Sequence, residues 1–235
     1  ILDMFLTEQT LRCDTSRILV VAEADMPLAL GIVDAVDKIA SRMGSDLQMM
    51  SFSATIPAGL KPFLRKYMRE PLTIQVESSA QFHPDIRHVL VPCKHLEYTD
   101  KLIEILPGIN PYVCLIFANT RTIAAQAAER MREAGYGVIE LHGDLNARER
   151  MKALRELQSQ KKSYVVATDI AARGIDIEGI THVISLGFPK ELDFYVHRSG
   201  RTGRAGRDGV CYALYRGEDD TLIRMQENRG LHFEH

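Results

Sequence analysis

The sequence has almost no excess of charge of either sign. It contains 29 lysine and arginine residues and 31 aspartate and glutamate residues, so the net charge at pH 7 is −2. Proteins that hold nucleic acid through a general basic surface carry a clear positive excess, which this chain lacks. Any site for a polyanion must therefore be local and built from a few residues.

The cysteines are few and scattered, and no histidine cluster has the spacing of metal ligands. The four thiols, at Cys13, Cys93, Cys114 and Cys211, form no CxxC pair. This spacing argues against a disulfide framework and against a structural zinc site. It favours a reducing, cytoplasmic compartment.

Long apolar runs are missing as well. No run approaches the roughly 18 residues that cross a membrane as a helix, and the N-terminus lacks the charged and then apolar pattern of a signal peptide. We therefore expect no membrane partner. The sequence begins at Ile1 and ends in LHFEH, and we expect it to be a fragment of a longer protein.

A regular alternation of two patterns is present instead. Short runs rich in β-branched residues alternate with longer stretches of helical period, which is typical of β-α units on a parallel sheet. The predicted strands are 18–22, 48–52, 86–92, 113–118, 138–142, 163–168, 181–186 and 210–215. The predicted helices are 31–43, 57–69, 95–106, 120–134, 146–160 and 191–199. The fold class is α/β, with helices on the faces of a parallel sheet.

The stretch EPLTIQVESSAQFHPD, residues 70–85, predicts a domain boundary. It holds two prolines and a small polar patch between two β-α groups. Residues 1–76 contain only two good strands, too few for an independent domain of this class, so they look like the second half of a domain. Residues 77–235 are complete enough to fold alone.

The stretch HRSGRTGRAGRDG places an arginine at every third position. Arg198, Arg201, Arg204 and Arg207 alternate with glycines that oppose a continuous helix. The pattern predicts a helix that ends in a glycine loop with arginines at its mouth. Guanidinium groups suit bidentate binding of phosphate oxygens. The alternative is a solvated basic loop.

Two further stretches carry polar groups at the ends of predicted strands. In VVATDIAARGIDI, Thr168 and Asp169 follow a strand and Gly174 precedes Asp176, an arrangement that suits phosphate and ribose. The alternative is an ordinary connection with Asp169 as the N-cap of a helix. In FSATIP, Ser53 and Thr55 precede a helix, where they are normally caps.

The stretch HGDLNARERMKAL begins a helix with positive charge. Asp144 or Asn146 is positioned as the cap, and Arg148, Arg150 and Lys152 fall in the first two turns. Cations at a helix N-terminus oppose the helix dipole, so we expect an anion there, such as a nucleic-acid backbone. The alternative is a charged surface turn.

Taken in order, AEAD, SAT, LIFANTR, HGDLNARER, ATDIAARGID and HRSGRTGR resemble motifs II, III, IV, IVa, V and VI of the DEAD-box RNA helicases. SAT alone is a common tripeptide, but ARGxD followed about twenty residues later by HRxGRTGR is highly specific. The resemblance implies two RecA-like domains that close over ATP, Mg²⁺ and single-stranded RNA. Residues 1–76 would be the C-terminal part of the first domain, and residues 77–235 would be the second.

The resemblance also implies roles for individual residues. Glu23 would polarise the attacking water, and the catalytic set would be Glu23, Asp25, Arg201 and Arg204, with Arg204 as the arginine finger. The coupling residues would be Ser53, Thr55, Asp169 and His197, and the ATP contacts Gly174 and Asp176. The RNA backbone would be held, with little sequence specificity, by Thr120, Arg121, Gly143, Arg150 and Thr168.

The sequence departs from the family at one important position. Ala22 stands where the family has the aspartate that holds Mg²⁺ through water, and the family's phosphate loop would precede Ile1. Two interpretations follow: an ATP-dependent RNA helicase whose chain is inactive alone, or a catalytically impaired RNA-binding or annealing module. A DNA helicase of the same superfamily is disfavoured by His197, where several DNA-unwinding relatives have glutamine.

Overall fold

The computed structural model describes residues 12–24, 33–53, 60–74, 85–143, 145–159, 163–172, 177–204 and 206–235. The chain divides into two compact units, Ile1–Val76 and Glu77–His235. None of the described helices is long and apolar enough to cross a membrane.

The first unit contains a two-stranded parallel ribbon. Its described elements are β1 (Ile18–Val21), α1 (Val33–Ala40), β2 (Gln48–Ser51) and α2 (Leu60–Tyr67). The alternation along β1 explains the packing: Val21 is buried, whereas Ile18 and Val20 are more than half exposed. The buried core consists of Val21 and Ala24, with Leu19, Val33, Val36, Met49, Leu64 and Tyr67 packed against it.

The second unit is a six-stranded parallel sheet in the order β3-β8-β7-β4-β6-β5. Its strands are β3 (Ile86–Pro92), β4 (Val113–Ala118), β5 (Val138–Leu141), β6 (Ser163–Thr168), β7 (Ile180–Leu186) and β8 (Gly209–Tyr215). Its α-helices are α3 (Tyr98–Ile105), α4 (Arg121–Glu133), α5 (Ala147–Ser159), α6 (Asp169–Ala172), α7 (Leu192–Ser199) and α8 (Asp220–Asn228). Short 3₁₀ turns occupy Leu106–Gly108 and Gly217–Asp219. The predicted α/β fold is confirmed.

Helices cover both faces of this sheet. The central strand β4 reads VCLIFA and all six of its residues are buried, as expected for a parallel strand covered on both sides. One core layer joins the sheet to Leu102 of α3 and Met131 of α4. The other joins it to Leu157 of α5, Tyr195 of α7 and Ile223 of α8.

The edge strand β3 is extended by residues near the end of the chain. Glu234 pairs with Val89 in the parallel sense. Its amide donates to the His88 carbonyl, and its carbonyl accepts from the Leu90 amide, both at 2.7 Å. Phe233 packs edge-on against the His88 ring.

Helix α8 was not predicted from the sequence. It is a single amphipathic segment of nine residues that buries Ile223 and Gln226. The Gln226 amide donates to the Leu192 carbonyl at 2.7 Å, which attaches α8 to the start of α7.

Candidate functional site

The candidate site of the second unit lies where three neighbouring strands end. Ala118 of β4 is in register with Thr168 of β6 and with Leu186 of β7. The residues that follow, including Asn119 and Asp169, therefore meet at one edge. This carboxyl edge of a parallel sheet is where ligands bind in open α/β folds.

Arg198 is the centre of this edge, and it is only 1% exposed. Its Nε and Nη2 donate to the two carboxylate oxygens of Asp169 at 2.7 and 2.6 Å. Nη1 donates to the Ser185 hydroxyl at 2.6 Å and to the Gly187 carbonyl at 3.3 Å. Nη2 also donates to Asn119 Oδ1 at 2.7 Å. All five guanidinium hydrogens are thus used.

Arg198, the first arginine of HRSGRTGRAGRDG, is therefore not at the mouth of the loop. Its guanidinium is saturated by protein groups and lies over the Phe117 ring at 5.5 Å. Asp169 is the first residue of α6, and its carboxylate is bound to this arginine. Sequence reasoning missed Arg198, Asn119 and Ser185 as a connected group.

Arg201 and Arg204 follow this buried anchor. Helix α7 ends at Ser199, and the Arg201 amide donates to the Arg198 carbonyl at 3.1 Å. Arg201 is half-buried and Arg204 is exposed, with its Nε donating to the Gly200 carbonyl at 3.0 Å. His197, the remaining residue of this stretch with an implied role, is half-buried.

Thr202 fixes the loop between these arginines. It is 1% exposed, and its hydroxyl donates to the Ile180 carbonyl at 2.8 Å. The backbone of Gly209 passes so close that a Cβ there would lie 2.5 Å from Thr202 Oγ1 and 2.7 Å from the Gly203 nitrogen. The glycine is therefore required by contact, and it brings the loop against β8.

Thr120 caps helix α4 at the same edge. Its Oγ1 accepts a hydrogen bond from the Ile123 amide at 3.2 Å. A hydroxyl that accepts a hydrogen bond can also donate one. The next residue, Arg121, is exposed, whereas Thr168 at the end of β6 is half-buried.

Helix α5 starts with a reciprocal cap. Asn146 Oδ1 accepts from the amides of Arg148 and Glu149 at 2.9 and 3.0 Å, and Glu149 accepts from the Asn146 amide at 2.8 Å. Asn146 is therefore a cap; Asp144 lies outside the described residues. Arg150 Nη2 donates to the Ala171 carbonyl at 2.9 Å, which ties this helix to α6, while Gly143 is exposed.

In the first unit, Val21 at the end of β1 pairs with Ser51 at the end of β2. Glu23 and Ser53 each lie two residues after these paired positions. Glu23 is exposed and has φ 49°, the left-handed region that a non-glycine residue seldom adopts. Such strained residues cluster at functional sites. Ser53 is half-buried.

Within the described residues, the position expected to help hold Mg²⁺ carries no ligand atom. Ala22 is exposed and offers only a methyl group, and no group of three metal-ligating side chains occurs within the described ranges. The predicted site residues Asp25, Thr55, Gly174 and Asp176 lie outside the described residues.

Comparison with known sequences gives two matches. The model of the helicase conserved C-terminal domain matches residues 97–206. The chain is 42% identical over 228 residues to the DEAD-box ATP-dependent RNA helicase CshB of Listeria monocytogenes, covering 97% of this chain and 52% of that protein. The chain thus spans about half the length of the curated relatives it matches.

Two solved structures resemble the chain. The Escherichia coli DEAD-box protein SrmB, solved with regulator of ribonuclease activity A, is 32% identical, with a TM-score of 0.57 over 63% of this chain and 87% of that one. Dbp5 of Saccharomyces cerevisiae, bound to RNA and ADP BeF3, has a TM-score of 0.87 at 23% identity, covering 98% of this chain and 62% of that one. This second likeness shows the fold alone.

Proposed function

The chain belongs to the DEAD-box RNA helicase family, and from this premise we propose that the protein binds and locally unwinds RNA in an ATP-dependent reaction. ATP binding and hydrolysis would be coupled to closure of two RecA-like domains. Residues 1–76 would be the C-terminal part of the first domain and residues 77–235 the second. The protein would act in the cytoplasm.

One observation carries the proposal. The buried pair Arg198–Asp169 attaches two groups of candidate residues to the same sheet edge. Thr168 immediately precedes Asp169 and belongs to the proposed RNA contacts, whereas Arg201 immediately follows the turn that Arg198 anchors. A single rigid unit can therefore respond to both ligands.

The RNA contacts would be made by hydroxyl, backbone and guanidinium groups. Thr120, Thr168 and Gly143 would meet sugar and phosphate, and Arg121 and Arg150 would supply positive charge. Such groups read the backbone and not the base edges, so binding would tolerate many RNA sequences.

The ATP contacts would be divided by chemistry. Arg201 and Arg204 would bind the terminal phosphates, where charge builds up during transfer, with Arg204 as the arginine finger. Glu23 would orient the attacking water, and Gly174 and Asp176 would lie near the ribose. The state of the nucleotide would be communicated between the two domains by Asp25, Ser53, Thr55, Asp169 and His197.

A second function is favoured by Ala22. Because this methyl group cannot orient the water shell of Mg²⁺, turnover could be lost while RNA binding is retained. The protein would then be an RNA clamp or annealing module.

The test measures RNA-stimulated phosphate release by the complete gene product, with Ala22 and with Ala22→Asp. Turnover by both supports the helicase, and turnover by the Asp variant alone supports the clamp. If neither protein releases phosphate although both bind the nucleotide, the proposed helicase activity is contradicted. The 235-residue chain, which has no phosphate loop, is expected to be inactive in the same assay. Competition by RNA but not by DNA of the same sequence excludes a DNA helicase.

A further inference from the structure

Two buried residues outside the stretches that resemble helicase motifs hold the turn after β7. Tyr98, at the start of α3, and Asp219, after β8, are 9% and 6% exposed. The Tyr98 hydroxyl donates to Asp219 Oδ2 at 2.8 Å, and the Arg216 amide donates to the same oxygen at 3.0 Å. Oδ1 accepts from the Phe188 amide at 3.3 Å. The buried carboxylate is thus bound through both oxygens.

The Phe188 amide and the Gly187 carbonyl belong to one peptide group. Asp219 accepts from the amide of that group, while Arg198 Nη1 donates to its carbonyl at 3.3 Å. The Ser185 hydroxyl donates to the same carbonyl at 2.8 Å. A peptide group held by an anion on one side and a cation on the other is polarised in the same sense by both.

The turn has little room to move. Gly187 has φ +79°, and a Cβ there would lie 3.1 Å from both Asn119 Nδ2 and Tyr98 Cζ. Asn119 in turn donates to the Phe188 carbonyl at 3.0 Å and accepts from Arg198. The Gly187–Phe188 segment is therefore contacted from both sides by side chains of the network.

We propose that Asp219 is a positioning residue that holds the Arg198 guanidinium through the Gly187–Phe188 peptide group. Because Arg198 anchors the end of α7, Asp219 also positions Arg201 in the loop that follows. Tyr98 supports Asp219 by its hydrogen bond. The effect on Arg198 rests on the contacts alone, whereas the effect on ATP turnover rests on the proposed function.

The first test follows hydrogen exchange of the Arg198 Nε–H in the 235-residue chain by ¹⁵N NMR, with Arg198→Lys used to identify the signal. Asp219→Asn should accelerate this exchange about tenfold, since one hydrogen bond to a charged group is lost. Tyr98→Phe should act in the same direction. Glu104→Gln, which removes an exposed carboxylate of the same helix that pairs with Lys101 at 2.7 Å, is the matched control and should have no effect.

Unchanged Arg198 exchange in folded Asp219→Asn overturns the proposal. If that variant does not fold, Tyr98→Phe decides, because it keeps the ring against Gly187 and removes only the donor. In the complete gene product, Asp219→Asn should lower kcat about tenfold at an unchanged KM for ATP. Normal kcat with accelerated exchange overturns the role in positioning Arg201. If the unaltered protein does not hydrolyse ATP, the proposed function fails, and the exchange result still decides whether Asp219 positions Arg198.

Discussion

Arg198 donates two hydrogen bonds to the carboxylate of Asp169, from Nε at 2.7 Å and from Nη2 at 2.6 Å. The arginine side chain is 1% exposed and the aspartate side chain 15% exposed. The planar guanidinium matches the two carboxylate oxygens, and a lysine cannot reproduce that geometry. The pair therefore depends on the shape of the cation as well as on its charge.

Replacing Arg198 by lysine should lower the free energy of unfolding by about 3 kcal/mol, because several buried acceptors lose their donor. Urea denaturation of the chain measures the change. The matched control is Arg130→Lys on α4, where the guanidinium pairs with Asp100 at 2.9 Å and is half exposed. A surface pair contributes under about 1 kcal/mol. Equal losses in the two variants would contradict the role given to Arg198.

The burial of His88 should lower the free energy of unfolding in mild acid. Its Nδ1 lies 3.0 Å from the Tyr195 hydroxyl, its Nε2 has no hydrogen-bond partner within the described part of the chain, and burial lowers its pKa from 6.5 to about 4. Between these values the unfolded chain binds a proton and the folded chain does not. Stability should therefore fall as the pH drops below 6.5 and level off near pH 4, by up to about 3 kcal/mol.

The variant His88→Gln should flatten this part of the pH profile, measured as the urea midpoint between pH 6.5 and 4.5. Part of the slope will remain, because burial also lowers the pKa of His182. The control His95→Gln changes an exposed histidine and should keep the full slope. A slope in His88→Gln as steep as in the unaltered chain would refute the assignment.

Gly209→Ala should destabilise the protein by about 1 to 3 kcal/mol, because the new methyl group would overlap Thr202 and the backbone of Gly203. Thermal unfolding measures this loss. Gly108→Ala is the control, since a Cβ at Gly108 meets nothing within 4 Å. If the two alanines cost the same, the close approach of β8 to the arginine loop does not limit stability.

Arg204→Ala should lower the RNA-stimulated kcat of the complete gene product by about 10³-fold if this residue is the arginine finger. Its side chain is exposed, so the melting temperature should change little. Arg207→Ala removes another exposed arginine of the same stretch and should leave kcat nearly unchanged. A normal kcat in Arg204→Ala would assign the phosphate contact to another residue.

The sequence was sufficient to predict the parallel α/β fold. The order of apolar and polar residues along a helix or strand reflects which of its positions are buried, and residue types show this order directly. The predicted strand 113–118 agrees with β4, and the predicted helix 120–134 contains α4, which ends before Gly135 in the left-handed conformation. Helix α8 was missed because its apolar face is short and includes the buried amide of Gln226.

Less of the candidate site could be predicted from the sequence. Periodicity could not distinguish the buried Arg198 from the arginines after it, because a charged residue in a glycine-rich stretch suggests solvent. One signal was available: Arg198 lies three residues after Tyr195 in the predicted helix 191–199, and residues at this spacing share a helix face. The structure shows that both are buried. The contacts of Asp219 with Tyr98 and Phe188 had no local signal, since these partners lie 121 and 31 residues away.

The pairing of Glu234 with Val89 has a consequence for assembly. An edge strand with unpaired amides and carbonyls is a template on which another chain can add, and β3 begins one side of the six-stranded sheet. Glu234 takes the hydrogen bonds of His88 and Leu90 that such a chain would use. The segment around Glu234 thus covers this edge of the sheet and blocks the addition of another strand at His88 and Leu90.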